Sequence, residues 1–150
     1  AEECYKHIDE IGERVVLIGG GEVGCETALD LAEKGKKVSI IEMLPELCPE
    51  TFHLTRGVML GKMEKCVDMY TGARCTGITT EGVSFVDKDG NEQFAEADYV
   101  YYCCGNRSND EIVKSLEGVT PWFVVTGDAK QARTVKQATY EGFCAAMDIL

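Results

Sequence analysis

The run from Arg14 to Glu42, RVVLIGGGEVGCETALDLAEKGKKVSIIE, constrains this chain more than any other stretch. Val15, Val16, Leu17 and Ile18 form the unbroken apolar run of a strand covered on both faces. Gly19, Gly21 and Gly24 then satisfy G-x-G-x-x-G. From Val23 to Lys34 the apolar residues Val23, Ala28, Leu29, Leu31 and Ala32 recur at roughly helical spacing, and Gly35 closes the predicted helix. Val38 to Ile41 begins a second strand that ends in Glu42. The order is strand, glycine turn, helix, strand, acid.

Each part has a physical role if a dinucleotide binds. Gly19 permits a tight turn, Gly21 lets the backbone approach a pyrophosphate, and Gly24 lets helix and strand pack closely. Gly20, Glu22 and Val23 complete the turn and the helix start, whose unpaired N–H groups and dipole favour phosphate. Glu42 lies 18 residues beyond Gly24, where an acid meets a ribose 2′-OH. The bland alternative is a glycine-rich turn that binds nothing, at the entropic cost of three adjacent flexible residues.

Composition narrows the function classes. With 26 acidic against 15 basic residues the formal net charge is −11, which disfavours nucleic acid or an anionic membrane as partner. At 150 residues there is room for one ordinary domain with a sizeable core. No apolar run approaches the roughly 20 residues of a membrane span, and AEECYKHIDE has no signal-peptide core. The chain starts at Ala1, and a piece of something longer is expected. Its eight cysteines contain no C-x-x-C pair, and with only His7 and His53 no zinc site is expected. Cys25, Cys103 and Cys104 are expected as small buried hydrophobes in a reduced, cytoplasmic protein.

Residues 1–13 read as a polar, partly helical lead-in. After Glu42, Met43 to Pro49 is a loop with two prolines, and Glu50 or Thr51 starts a helix with an apolar face at Leu54, Val58, Leu60, Met63 and Val67. Val67 to Tyr70 is a third parallel strand. Ala73 to Ala97 reads as an antiparallel meander with turns at Thr80-Glu81-Gly82 and at Asp87-Lys88-Asp89-Gly90. Ala97 to Cys104 is again a strand, and Ile112, Val113 and Leu116 mark a helical turn. Trp122 to Thr126 is a last strand, Gly127-Asp128 follows, and a helix from Thr134 to Ile149 is expected to bury Val135, Ala138, Phe143 and Met147. The fold class is α/β: a Rossmann-like three-layer domain with a parallel sheet and a small antiparallel β-meander.

GGGEVGCE, then IIE, a meander, YVYYCCGNRSN and FVVTGDAKQARTVKQATYEGFCAA occur in an order that resembles the pyridine-nucleotide-dependent flavoprotein reductases. The likeness runs from about Arg14 to Leu150 and is similar in wording to NADH:flavin oxidoreductases of the 2,4-dienoyl-CoA reductase and enoate reductase type. In that family an NAD(P)H domain is inserted into an FAD domain, and the named subgroup adds a barrel with FMN and an iron–sulfur cluster. The resemblance implies that Gly19, Gly21 and Gly24 form the NAD(P)H turn and that Glu42 is the ribose acid. Glu26 matches a helix acid near the nicotinamide, or is an ordinary first-turn acid. Gly105, Asn106 and Arg107 match a G-x-R-P-N stretch that closes over the dinucleotide, with Ser108 in place of proline. Gly127 and Asp128 match a late pair whose aspartate contacts FAD.

The implied division is residues 1–118 as the NAD(H)-binding domain and 119–150 as a strand–helix segment of the FAD domain, docked here as a fifth strand beside Tyr99 to Cys104. FAD's own glycine turn is absent from this stretch, so no tight FAD binding is expected of it alone. The carboxylate of Glu42 favours NADH over NADPH by charge, since the next basic residue is Arg56. The implied chemistry is hydride transfer from nicotinamide to flavin, with no acid, base or nucleophile required of this chain. For the named subgroup the resemblance implies a final electron acceptor of the unsaturated carbonyl class, bound elsewhere in the parent. The same fold also admits an NAD(H)-sensing domain, the NADH module of a disulfide oxidoreductase, or an S-adenosylmethionine methyltransferase, which the meander and the late Gly-Asp argue against.

Overall fold

Val15, Val16 and Leu17 are buried because the strand that carries them, β1 (Arg14–Ile18), is covered on both faces. The structure, a computed structural model, describes residues 10–149. Most of the polar lead-in, with Cys4 and His7, lies outside the described residues. The chain divides into two units, Ala1–Cys104 and Gly105–Leu150.

In the first unit, the alternation of a strand sends Val15 and Leu17 to one side. There they pack with Cys25, Ala28 and Leu31 of α1 (Glu22–Glu33) and with Met59 and Met63 of α2 (His53–Met63). Val16 faces the opposite side, in a cluster with Val83, Phe85 and Ala95. Each such Val, Leu or Ile side chain contributes roughly 1.5–3 kcal/mol on burial. β2 (Lys37–Glu42), β3 (Val67–Thr71) and β7 (Tyr99–Tyr102) complete a parallel sheet of order β3-β2-β1-β7. The winding reverses between β1 and β7, and open α/β sheets leave a crevice at the carboxyl ends of such strands.

The third layer is antiparallel: β4 (Arg74–Ile78), β5 (Gly82–Val86) and β6 (Glu92–Glu96), in that order. The Asp-Gly turn forms as expected, with the Asp87 carboxylate accepting the N–H groups of Asp89 and Asn91. Gly82, expected in a turn, opens β5 instead. The expected Rossmann-like α/β architecture is therefore present, with helices, parallel sheet and meander as its layers.

Several local expectations are corrected. The buried positions of α2 are Met59 and Met63, while Leu54 and Val58 stay exposed at 64% and 67%. The covered stripe is thus narrower than the apolar residues alone suggest, and Val67 is buried in β3. Val23 is exposed because it sits at the open start of α1. β7 is shorter than residues 97–104, and Cys104, expected to be buried, lies beyond it and is exposed.

The second unit holds α3 (Asp110–Leu116), a 3-10 turn at Gly127–Ala129 and α4 (Val135–Met147). Asn109 caps α3, and Thr134 with Gln137 forms a capping box at α4. The expected strand over residues 122–126 is not formed. An extended run becomes a strand only where an edge supplies ladder partners, and the described residues of this unit form no strand. Trp122 and Val124 are exposed, as are Val135, Phe143 and Met147, which were expected to face inward from α4; Ala138 is half-buried. Among the described residues no helix is long and apolar enough to cross a membrane.

Candidate functional site

β1 ends at Ile18, and the chain reverses through Gly19-Gly20-Gly21 into α1. Gly19 has φ +110, and a Cβ there would lie 2.4 Å from the Cys103 carbonyl oxygen. A Cβ on Gly24 would lie 2.1 Å from the Gly19 carbonyl oxygen. Both positions demand glycine for the fold itself. Gly21 differs. It is the N-cap of α1 with φ −69, which any residue accepts, and a Cβ there would meet nothing within 4 Å. The fold leaves open space beside that backbone.

No side chain caps α1, so its first-turn N–H groups and the positive end of its dipole lie at this opening. Glu22 and Glu26 are exposed one turn apart on the helix.

Glu42 ends β2 beside the turn. Its Oε2 accepts the Gly20 N–H at 2.5 Å, and its Oε1 accepts the Leu44 N–H at 2.7 Å. Each oxygen retains a second acceptor site, so the carboxylate can still receive a hydroxyl hydrogen. Arg56 is committed elsewhere: its Nε donates to the Leu47 carbonyl oxygen at 2.7 Å, and its Nη2 pairs with Glu46 Oε2 at 2.7 Å.

Residues absent from the sequence expectation complete the wall behind the turn. The Cys48 N–H donates to the Gly20 carbonyl oxygen at 2.8 Å, and Leu47 packs so closely that a Cβ on Gly20 would lie 2.2 Å from its Cδ2. Leu47 and Cys48 are buried. Their only sequence signal was an apolar pair between two prolines in a loop. Thr27 is buried as well, within α1.

The remaining expected residues belong to the second unit. Gly105, Asn106 and Arg107 are exposed in the irregular segment before α3. Gly127 is buried, and its N–H donates to Glu141 Oε2 at 2.9 Å; Asp128 is exposed and accepts the Arg133 N–H at 3.4 Å. Bonding to Arg133 first, and then to the Gly127 N–H, holds Glu141 below the usual carboxylate range. The first unit thus brings together Gly19 to Gly24 and Glu42, with Glu26 one turn along α1.

The profile of the family described as pyridine nucleotide-disulphide oxidoreductase matches residues 2–130. The chain belongs to that family. That family is one of NAD- and FAD-dependent flavoprotein oxidoreductases, and the Rossmann-like nucleotide-binding fold described above is the one it shares. It is 38% identical over 139 residues to an NADH oxidase of Thermoanaerobacter brockii, covering 91% of this chain and 21% of that protein. It is 40% identical over 150 residues to a bilirubin reductase of Mediterraneibacter gnavus, covering 97% of this chain and 23% of that one. Among solved structures, a 2-naphthoyl-CoA reductase complex superposes with a TM-score of 0.80 at 26% identity, over 89% of this chain and 21% of the other. The chain therefore spans about a fifth of the length of the relatives it matches.

The residues present fit one of the family's two cofactors. The open backbone at Gly21, the uncapped start of α1 and the carboxylate of Glu42 suit an NAD pyrophosphate and ribose. Among the described residues there is no second strand–glycine turn–helix unit. Among the described residues no group of three or more His, Cys, Asp or Glu could hold a metal ion.

Proposed function

We propose that this chain holds NADH for hydride transfer to FAD within a longer flavoprotein oxidoreductase. The observation that carries the reading is Glu42, fixed beside the open helix start by its bond to the Gly20 N–H. Gly21 and the first-turn N–H groups of α1 receive the pyrophosphate, with Gly20, Glu22 and Val23 shaping that mouth. Glu42 accepts the ribose 2′-OH, and its charge repels a 2′-phosphate, while Arg56 is already paired with Glu46. Glu26, on the exposed side of α1, faces the nicotinamide end. NADH supplies the hydride when bound; this chain orients it and contributes no acid, base or nucleophile.

The rest of the reading rests on family resemblance. Gly105, Asn106 and Arg107 are assigned to the dinucleotide, and Gly127 and Asp128 to FAD. Residues 119–150 are assigned to the FAD domain of the parent, which fits the exposure of Trp122, Phe143 and Met147. The relatives' names, an NADH oxidase and a bilirubin reductase, support a reductase; a final acceptor bound elsewhere, in a portion that carries FMN and an iron–sulfur cluster, rests on the resemblance to the dienoyl-CoA and enoate reductase type. Thiols at Cys25, Cys48, Cys66, Cys75, Cys104 and Cys144 suit a reducing, cytoplasmic compartment.

Calorimetric titration of the chain with NADH and with NADPH at fixed salt tests the reading. The expected outcome is NADH binding with NADPH at least tenfold weaker. Binding of neither cofactor, or preference for NADPH, overturns it.

A further inference from the structure

Three donors converge on one carbonyl oxygen behind the turn. Gly20 O accepts the Cys48 N–H at 2.8 Å, and the thiols of Cys25 and Cys48 lie 3.5 Å and 3.6 Å from the same atom. Cys25 is on α1 and Cys48 in the loop after β2, so two segments far apart in sequence place their sulfurs against one acceptor. Both thiols are buried, with 0% and 1% residue exposure, and both are free. Cys48 is also the only described residue other than glycine with positive φ, at 49°. A side chain held there costs of order 1 kcal/mol and persists only where its surroundings impose it.

We propose that Cys25 and Cys48 are a peroxide-sensitive thiol pair whose conversion to a disulfide loosens the glycine turn. The two thiols are unequal partners. Cys25, whose S–H can turn from Gly20 O to a Cys48 thiolate and which is desolvated by burial, is pushed up from the ordinary thiol value; Cys48, whose thiolate that S–H would stabilise, is lowered. Cys48 is therefore the sulfur that ionises first and attacks. Its thiolate displaces hydroxide from hydrogen peroxide, breaking the O–O bond and forming the sulfenic acid. The Cys25 sulfur then attacks that sulfenic sulfur, the S–S bond forms, and the oxygen leaves as water. In total two thiols and one peroxide give one disulfide and two waters. The sulfurs lose two electrons, which reduce the two peroxide oxygens. Peroxide is small enough for a site that burial closes to bulky disulfides.

The structural consequence follows from the hydrogen bonds. A disulfide has no S–H, so Gly20 O loses two donors and keeps only the Cys48 N–H. Gly20 is the residue whose own N–H Glu42 holds, so a shift there moves the pyrophosphate mouth and the ribose acceptor together. The effect on NADH rests on the function proposed above; the disulfide and the loosening of the turn do not.

Trypsin separates the two cysteines cleanly, because Cys25 is the only cysteine of the peptide 15–34 and Cys48 the only one of 38–56. The chain is treated with hydrogen peroxide and digested without reductant, with Cys25→Ala and Cys48→Ala proteins as controls. The expected product is peptide 15–34 joined to 38–56, two hydrogens lighter than the separate peptides and separated again by dithiothreitol. Amide hydrogen exchange over residues 19–25 should rise at least tenfold in the oxidised wild type and be unchanged by peroxide in Cys25→Ala. Unlinked peptides, or linkage of either cysteine to another, overturn the pair. A linked pair with unchanged exchange overturns the loosening. NADH affinity, read before and after peroxide in the same sample, should fall at least tenfold; absence of NADH binding in the reduced protein strikes the nucleotide reading alone, since mass and exchange decide the thiol pair.

Discussion

The carboxylate of Glu42 reaches back 22 residues to take the Gly20 N–H at 2.5 Å. With its other oxygen it holds Leu44, the second residue of the loop that follows. The acid is thus a strut between the glycine turn and the end of β2 as well as an acceptor. Glu42→Ala should cost about 2 kcal/mol of stability in urea unfolding, since two charge-assisted bonds are lost. Glu42→Gln, which keeps one carbonyl acceptor, should fall between the two. Equal stability of wild type and Glu42→Ala would show that the strut contributes nothing.

The glycines of the turn should separate fold from binding. Gly19→Ala and Gly24→Ala drive a Cβ against the Cys103 and Gly19 carbonyl oxygens, and each should destabilise the chain by about 3 kcal/mol or more. Gly21→Ala adds a methyl to open space at an ordinary φ and should cost less than about 1 kcal/mol. Its NADH affinity should nevertheless fall at least tenfold, on the order of 1.4 kcal/mol, because the methyl stands where the pyrophosphate approaches. Thermal unfolding and titration of the three variants side by side read both effects.

Asp98 ties the start of β7 to β1 at the opposite end of the strands. Its carboxylate accepts the N–H groups of Glu13 and Arg14 and pairs with the Arg14 guanidinium at 2.6 Å. The Arg14 side chain first, and then its backbone N–H, holds Asp98 well below the usual carboxylate range. A lowered folded value stabilises above the unfolded pKa, and that contribution is lost as pH falls through the folded value. The stability gap between wild type and Asp98→Asn should stay level from pH 7 to about pH 5 and narrow steadily below about pH 4. Denaturant melts across that range check it; a gap that widens in acid would contradict the pairing.

In the second unit, Glu141 of α4 fixes the loop that bears Gly127 and Asp128. It takes the Gly127 N–H and pairs with Arg133 and Lys130. Glu141→Ala should raise hydrogen exchange at the Gly127 amide roughly tenfold, while Glu141→Gln, which can still accept that N–H, should largely preserve protection. Equal exchange in all three proteins would remove Glu141 from this role.

The strand–glycine turn–helix–strand order, the meander and the acid at position 42 were all legible in the chain, because each is set by local rules. Strand burial follows from apolar runs, turns from glycine and Asp-Gly pairs, and the helix from spacing within one stretch. What failed depended on partners distant in sequence. Leu54 and Val58 have helical spacing but no layer over them, and residues 122–126 have strand composition but no edge to pair with inside their own unit. The same limit applies within the site. That an acid stands at the end of β2 is a property of the sequence alone. Only the tertiary structure decided that its two oxygens hold Gly20 and Leu44, that Arg56 is spent on Glu46, and that Cys25 and Cys48 meet at one carbonyl. Glu42 with Leu44 and Cys25 with Gly20 are local pairs, but the other contacts join residues 10 to 28 positions apart, and spacing along a chain carries no information about which side chains the packing of layers will bring together.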